Sequence, residues 1–237
     1  MKVGIIAAGK GERLAQGGIA TPKPLVVVDG TPLIARIINA AARLGATSIA
    51  CIVNNETPET AHYLRSTTWP LPLDLVVRTT PSSMESLFCL APLLSVNTEP
   101  FLLFTVDAVF GYSIVENFVQ QARQVSDAHG ALALTDHIDD EKPLWTAVDE
   151  HLKITAMGPA AAGSRYVTAG FYYFTPTVFA EVAAARALRL NALRQFLGLL
   201  LDKGYGLYGV PVPKTLDVDY PEDIAKAEAY LKEIRDS

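Results

Sequence analysis

Positions 3–7, Val-Gly-Ile-Ile-Ala, form a continuous apolar run, the pattern of a strand buried on both faces of a parallel sheet rather than the alternation of a strand with one wet face. Runs at 48–53, 73–77 and 101–106 predict three further strands. Between the first two, Thr31-Pro32 sets a proline at a helix start. Leu33, Ile34, Ile37, Ile38, Ala41 and Leu44 then recur at helical spacing until Gly45 stops the run. Helices are also predicted over 57–64, opened by Pro58, and over 84–94. Strand and helix alternating over about the first 125 residues predict right-handed βαβ units, and so an α/β fold whose mostly parallel sheet carries helices on both faces.

The rhythm changes after Gly130. Strand-like pieces at 131–134, 145–148, 153–156 and 166–174, separated by polar turns at 139–141 and 163–164, predict an antiparallel extension or a lid lobe. Helices return at 176–187 and 191–203, a strand near 207–210, and a last helix opened by Pro221 that runs to about 234. With no internal repeat and no long linker, residues 1–237 read as one domain in three parts, 1–125, 130–174 and 175–237.

A chain with 50% hydrophobic and 19% charged residues has the composition of a compact globular protein. Twenty Lys and Arg against 25 Asp and Glu give a net charge of -5, and no basic run interrupts it. That balance speaks against a nucleic-acid partner, so an anionic ligand has to be held by a local cluster. Cys51 and Cys89 sit in apolar stretches and read as buried hydrophobes of a reducing, cytoplasmic compartment rather than as a disulfide. No stretch approaches the roughly 18 apolar residues of a membrane span, and the apolar N-terminus is cut short by Gly9-Lys10-Gly11. His62, His129, His137 and His151 lack metal-ligand spacing and read as surface or loop residues.

The segment Ala7-Ala8-Gly9-Lys10-Gly11-Glu12-Arg13-Leu14 follows the first predicted strand directly, which places it at the carboxyl edge where open α/β sheets bind ligands. Glycines there let backbone N–H groups approach an oxyanion. As a P-loop, Gly4 to Gly9-Lys10 has the spacing, but Gly11 stands where the magnesium-binding Ser or Thr belongs, and Gly4 falls inside the strand. As a dinucleotide fingerprint, Leu14 replaces the third small residue, and the second strand ends late, in Asn54-Asn55. From the residues alone an ordinary tight turn also stands.

Ala7-Ala8-Gly9-x-Gly11-x-Arg13-Leu14, followed by Pro22-Lys23-Pro24-Leu25, resembles the paired signature of the nucleotidyltransferase family that includes sugar-1-phosphate nucleotidyltransferases and molybdenum-cofactor guanylyltransferases. The resemblance implies a Rossmann-like sheet with a small antiparallel lobe, the nucleotide-diphospho-sugar transferase type. It implies that Ala7, Ala8, Gly9, Lys10 and Gly11 wrap a triphosphate, and that Arg13 and Lys23 contact its phosphates during transfer. The chemistry agrees: a triphosphate concentrates about four negative charges, which call for an arginine fork, a lysine point charge and backbone donors together.

Asp107 follows the run 101–106 and is expected at the same edge. The resemblance makes it a ligand of Mg²⁺, although Val106 replaces the family's small residue. Leu216-Asp217-Val218-Asp219-Tyr220-Pro221-Glu222-Asp223-Ile224 resembles the family's late segment, whose aspartate is a second metal ligand. Asp219 is the first choice and Asp217 the second, because alternate residues of an extended segment point to one side. The residues alone leave another reading open: Asp219-x-x-Glu222 with Pro221 between them fits a helix cap. Glu222 and Asp223 suit the helix dipole.

Thr80-Pro81-Ser82-Ser83-Met84-Glu85-Ser86-Leu87 occupies the family's base-recognition segment, which implies nucleotide contacts for Ser82 and Ser83; a plain serine cap is the local alternative. The strand 166–174, with Ala169-Gly170, resembles the one whose small pair admits the acceptor to the backbone, implying Gly170 as an acceptor contact, with Lys142 and Trp145 from the lid. The expectation is a Mg²⁺-dependent enzyme that moves a nucleoside monophosphate from an NTP to a phosphorylated acceptor, a sugar 1-phosphate first, releasing pyrophosphate. A cytidylyltransferase acting on phosphocholine or a polyol phosphate, a molybdopterin acceptor, and a non-catalytic nucleotide-sugar-binding regulator are the alternatives. In that scheme residues 1–125 bind nucleotide, 130–174 cover the acceptor, and 175–237 return the second metal ligand.

Overall fold

The computed structural model describes residues 1–125, 128–138 and 142–236. Nine strands join in one sheet: β1 (Lys2–Ala7), β2 (Ser48–Val53), β3 (Leu73–Val77), β4 (Phe101–Thr105), β5 (Gly130–Thr135), β6 (Trp145–Val148), β7 (Ile154–Met157), β8 (Tyr166–Phe174) and β9 (Leu207–Pro211). The helices are α1 (Glu12–Gln16), α2 (Leu33–Arg43), α3 (Pro58–Ser66), α4 (Ser83–Leu94), α5 (Tyr112–Ala122), α6 (Val182–Ala187), α7 (Leu193–Asp202) and α8 (Pro221–Asp236). β1 lies between β2 and β4, parallel to both, and β3 extends the sheet beyond β2.

Alternate residues of these strands serve two different cores. Val3, Ile5 and Ala7 pack with side chains of α2, α3, α5 and α8, while Ile6 and Ala8 pack with those of α4 and α7. Ile49, Cys51 and Val53 divide from Ala50 and Ile52 in the same way. In β1 and β2 neither face meets water, and this is why both sequences stay almost wholly apolar.

The antiparallel strands are an extension that continues the same sheet. β8 pairs antiparallel with β4 through Phe171–Phe174 and with β6 through Tyr166 and Val167, while β5 runs along its other edge. β9 then pairs parallel with β5. Gly170, with φ +79°, breaks the register of β8 against β5 between Thr168 and Tyr172, a bulge that bends the strand. The polar turn expected at 139–141 lies outside the described residues.

The helix expected over 176–187 is instead a 3₁₀ segment, Pro176–Glu181, followed by α6. The five-residue α1 escaped prediction because it is too short to show a period. Cys51 is buried as expected, with its thiol pushed up to about 12 by burial. Cys89 is only partly buried: its sulfur lies 3.8 Å from a guanidinium nitrogen of Arg78 at the flank of α4. Both thiols are free, and no helix among the described residues is long and apolar enough to cross a membrane.

A two-residue ribbon decides the position of the site. Ala108–Val109, just beyond β4, pairs with Leu216–Asp217, and the Val218 N–H donates to the Asp107 carbonyl at 3.1 Å. Residues distant in sequence thereby meet at the carboxyl edge of β1 and β4.

Candidate functional site

The loop after β1 turns on Gly11, whose φ is +64°. A Cβ there would lie 3.0 Å from the Cβ of Lys23, so loop and lysine pack together because residue 11 has no side chain. Lys23 opens a short 3₁₀ turn, Lys23–Leu25, after Pro22, and it is almost wholly buried. Its ammonium donates to Asp107 Oδ2 at 2.8 Å and to Asp219 Oδ1 at 2.5 Å. Arg13, on α1, donates from Nη1 to the other Asp219 oxygen at 2.8 Å, and its guanidinium lies 5.3 Å from the centroid of the Tyr220 ring.

Burial works against the charge on Lys23, but Asp107 and Asp219 outweigh it and hold the ammonium above the ordinary lysine range. Burial likewise works against ionised Asp107. The Lys23 charge and hydrogen bond, with the Thr105 hydroxyl, overcome it and keep the carboxyl below its ordinary range. Both groups are therefore charged at neutral pH.

These four side chains stand where two cavities adjoin. The larger, about 540 Å³, is lined by Ala8, Gly9, Lys10 and Gly11 on one side, by Thr80, Ser82 and Ser83 on another, and by Lys23 and Asp107. The smaller, about 220 Å³, is lined by Thr135, His137, Thr168, Asp217 and Lys226 among others. Arg13 and Asp219 line both.

The cap reading of Asp219 is settled by its neighbour. Asp223 Oδ2 accepts from the N–H groups of Asp219 and Tyr220, at 3.1 and 2.9 Å, so Asp223 caps α8 while the Asp219 carboxylate faces Lys23 and Arg13. Asp217 is exposed and lines only the smaller cavity.

Several expectations need correction. Ala7 points into the core shared with α2, because alternate strand residues face opposite sides, and does not line the larger cavity. Lys10 does line that cavity, with its ammonium paired to Glu56 at 3.2 Å, in the open. Ser82 and Ser83 line it too: Ser82 Oγ accepts from the Glu85 N–H and caps α4, Ser83 Oγ accepts from the Leu193 N–H at the start of α7, and accepting an N–H leaves each hydroxyl its O–H to donate. Gly170, expected to admit the acceptor to the backbone, lines neither cavity, and a Cβ there would lie 2.9 Å from Ala108 Cβ and 3.0 Å from Thr105 Oγ1. Lys142 is exposed and lines neither cavity, its carbonyl accepting from Arg194 at 3.1 Å. Trp145 is half-buried in β6.

His137 was missed. Its Nε2 is buried and has no hydrogen-bond partner among the described residues, and the residue lines the smaller cavity. It lies two positions past the end of β5, which runs in the direction of β4, so the rule that points to Asp107 also points here. His129 is not a surface residue either: it is half-buried, and Nδ1 accepts from the Gly206 N–H at 3.0 Å.

Among the described residues no group of three or more His, Cys, Asp or Glu side chains gathers around a point that could hold a metal. Asp107 and Asp219 do offer two carboxylates within reach of one ammonium, beside a cavity with a glycine-rich wall. That donor set fits Mg²⁺, which binds through one or two carboxylates together with substrate phosphates.

Residues 3–198 match the sequence model of the MobA-like NTP transferase domain. The UTP–glucose-1-phosphate uridylyltransferase AglF of Haloferax volcanii is 24% identical over 241 residues, covering 98% of this chain and 97% of that protein. The 2-aminoethylphosphonate cytidylyltransferase of Lancefieldella rimae is 47% identical over 49 residues, only 21% of this chain and 20% of that protein. The solved structure of the inositol-1-phosphate CTP transferase from T. maritima superposes with a TM-score of 0.81 at 20% identity, covering 98% of this chain and 96% of that one.

Proposed function

Because the chain belongs to the MobA-like NTP transferase family, we propose that it moves a nucleoside monophosphate from an NTP to a small phosphorylated acceptor, with a sugar 1-phosphate as the first choice, and releases pyrophosphate. The observation that carries this reading is the meeting of Lys23, Arg13, Asp107 and Asp219 where the two cavities adjoin. The glycine-walled cavity takes the NTP, and the smaller one takes the body of the acceptor. The acceptor's phosphate then faces the α-phosphorus across Arg13.

An oxygen of the acceptor phosphate attacks the α-phosphorus in line, forming a new P–O bond, and the bond to the bridging α,β-oxygen breaks. The attacking oxygen already carries negative charge, so the reaction needs neither an enzyme nucleophile nor a dedicated base. Backbone N–H groups around Gly9 and Gly11 receive the triphosphate. Arg13 and Lys23 neutralise charge that grows on the phosphates, Lys23 exchanging its two carboxylates for them. We assign Asp107 and Asp219 as the residues that hold Mg²⁺, which when bound supplies charge neutralisation and alignment of the phosphate oxygens. Residues 1–125 bind the nucleotide, the strands within 130–174 wall the acceptor side, and the segment 175–237 returns Asp219. The free thiols of Cys51 and Cys89 suit a cytoplasmic enzyme.

A polyol or amino-alcohol phosphate with CTP is the second reading, favoured by the overall likeness to the inositol-1-phosphate enzyme. Pyrophosphate release is measured with Mg²⁺ for the four NTPs crossed with sugar 1-phosphates, inositol 1-phosphate, phosphocholine and 2-aminoethylphosphonate. Release with one pairing names both substrates; folded protein that binds nucleotide yet releases nothing with any pairing overturns the proposal.

A further inference from the structure

A cavity of about 690 Å³, larger than the catalytic one, opens on the side of the sheet covered by α2, α5 and α8 and shares no lining residue with the other two. Three arginines line it. Arg36 and Arg43 stand two turns apart on one face of α2, and Arg235 comes from the last turn of α8. Among the described residues, Asp29 is the one carboxylate that lines it. In a chain of net charge -5 this is a local excess of positive charge around a hollow.

The three guanidiniums are spread and only partly matched. Arg36 Nη1 donates to the Val28 carbonyl at 3.1 Å. The Arg43 guanidinium lies 3.7 Å from the centroid of the Tyr112 ring. Arg235 reaches the Asp29 carboxylate at 3.1 Å. Arg36 shows the strain of the arrangement: burial disfavours its charge, Asp29 opposes that effect and Arg235 adds to it, leaving the guanidinium below its ordinary range. An anion entering the cavity would relieve that repulsion. Planar guanidinium forks suit phosphate, and three cations against one carboxylate favour a multiply charged group over a single carboxylate. Phe110 and Tyr112 supply an aromatic wall, and the volume lies within the range of small-molecule sites.

We propose that this cavity is a second binding site, distinct from the catalytic cleft, for a small molecule carrying a phosphate or diphosphate group that Arg36, Arg43 and Arg235 hold, with its organic part against Phe110 and Tyr112. The site is independent of the reaction proposed above, and its test needs no turnover. Inorganic pyrophosphate is the probe, followed by equilibrium dialysis in the absence of divalent cation. The protein carries Arg13→Gln, so that the catalytic cleft has lost its guanidinium. Pyrophosphate is expected to bind this protein, and the further substitutions Arg43→Gln and Arg235→Gln are expected to weaken that binding at least tenfold. Both side chains are at least partly exposed, and an unchanged unfolding midpoint confirms that the variants fold. No binding to the Arg13→Gln protein, or binding that the two further substitutions weaken less than tenfold, overturns the proposal.

Discussion

The Lys23 ammonium stands 2.8 Å from a carboxylate oxygen of Asp107, and each holds the other in its charged form against the pull of burial. The pair is the hub of the site. Lys23 also reaches Asp219, and Asp219 reaches Arg13, so four charges in a row balance one another.

Replacing Lys23 by Met removes both a phosphate contact and the counter-charge of Asp107. Turnover is expected to fall by about 10²–10³-fold, the scale of losing one preorganised donor to a developing charge. The Asp107 carboxyl should also titrate higher than in the parent protein, read by carbon NMR of the carboxyl group. Full turnover in this variant contradicts the assigned role.

The same pair sets a pH signature of stability. Asp107 is held low in the folded chain, so its contribution is complete once an unfolded aspartate is ionised, above about pH 4, and disappears as the pH falls through the lower folded value. Lys23 is held high, so its contribution is complete below the unfolded lysine value of about 10.4 and is lost only as the pH climbs through the folded one. Urea unfolding of the parent and of Asp107→Asn should therefore differ by a constant amount from about pH 5 to 9, with the gap narrowing below about pH 4. A gap that widens on acidification refutes the sign of the shift.

The two glycines of the loop should separate stability from binding. Gly11→Ala forces a side chain into a left-handed conformation against Lys23 and is expected to cost about 1–2 kcal/mol in chemical denaturation, with loss of activity. A Cβ at Gly9 meets nothing within 4 Å, so Gly9→Ala should leave stability unchanged while occupying space in the nucleotide cavity. A higher KM for NTP with an unchanged unfolding midpoint is the expected result.

Asp219 and Asp223 divide chemistry from capping. Asp223→Ala removes the acceptor for two N–H groups at the start of α8 and should cost about 1 kcal/mol of stability, with turnover kept within about tenfold. Asp219→Asn should leave the cap in place and lower turnover by at least a hundredfold. The opposite ranking in paired kinetic and unfolding measurements would return Asp219 to a purely structural role.

Much of this was legible in the sequence wherever burial on two faces wrote a continuous apolar run. The bounds of 48–53 coincide with such a strand; those of 73–77, 145–148 and 166–174 also coincide with strands, although these keep polar and partly exposed positions, and Asp107 could be placed because it follows the apolar run 101–106. What stayed hidden depends on contacts between distant segments. Nothing local to Ser83 announces that its hydroxyl receives the Leu193 N–H, and nothing near Gly170 says that Ala108 will fill the space above it. His137 was passed over because a lone histidine carries no periodic signal, although its place beyond β5 matches that of Asp107 beyond β4. The antiparallel direction of β8 was readable from successive strand-like pieces joined by polar turns, but its neighbour in the sheet, β4, was not, because pairing joins segments distant in sequence.

The ribbon between Ala108–Val109 and Leu216–Asp217 also orders events in time. Lys23 and Asp107 leave the ribosome first, and Asp219, beyond the residues 3–198 that match the family, follows them. A nascent chain can build most of its sheet before the final carboxylate is docked. On the proposed function, the chemistry therefore waits until the segment that carries Asp219 has docked against Asp107.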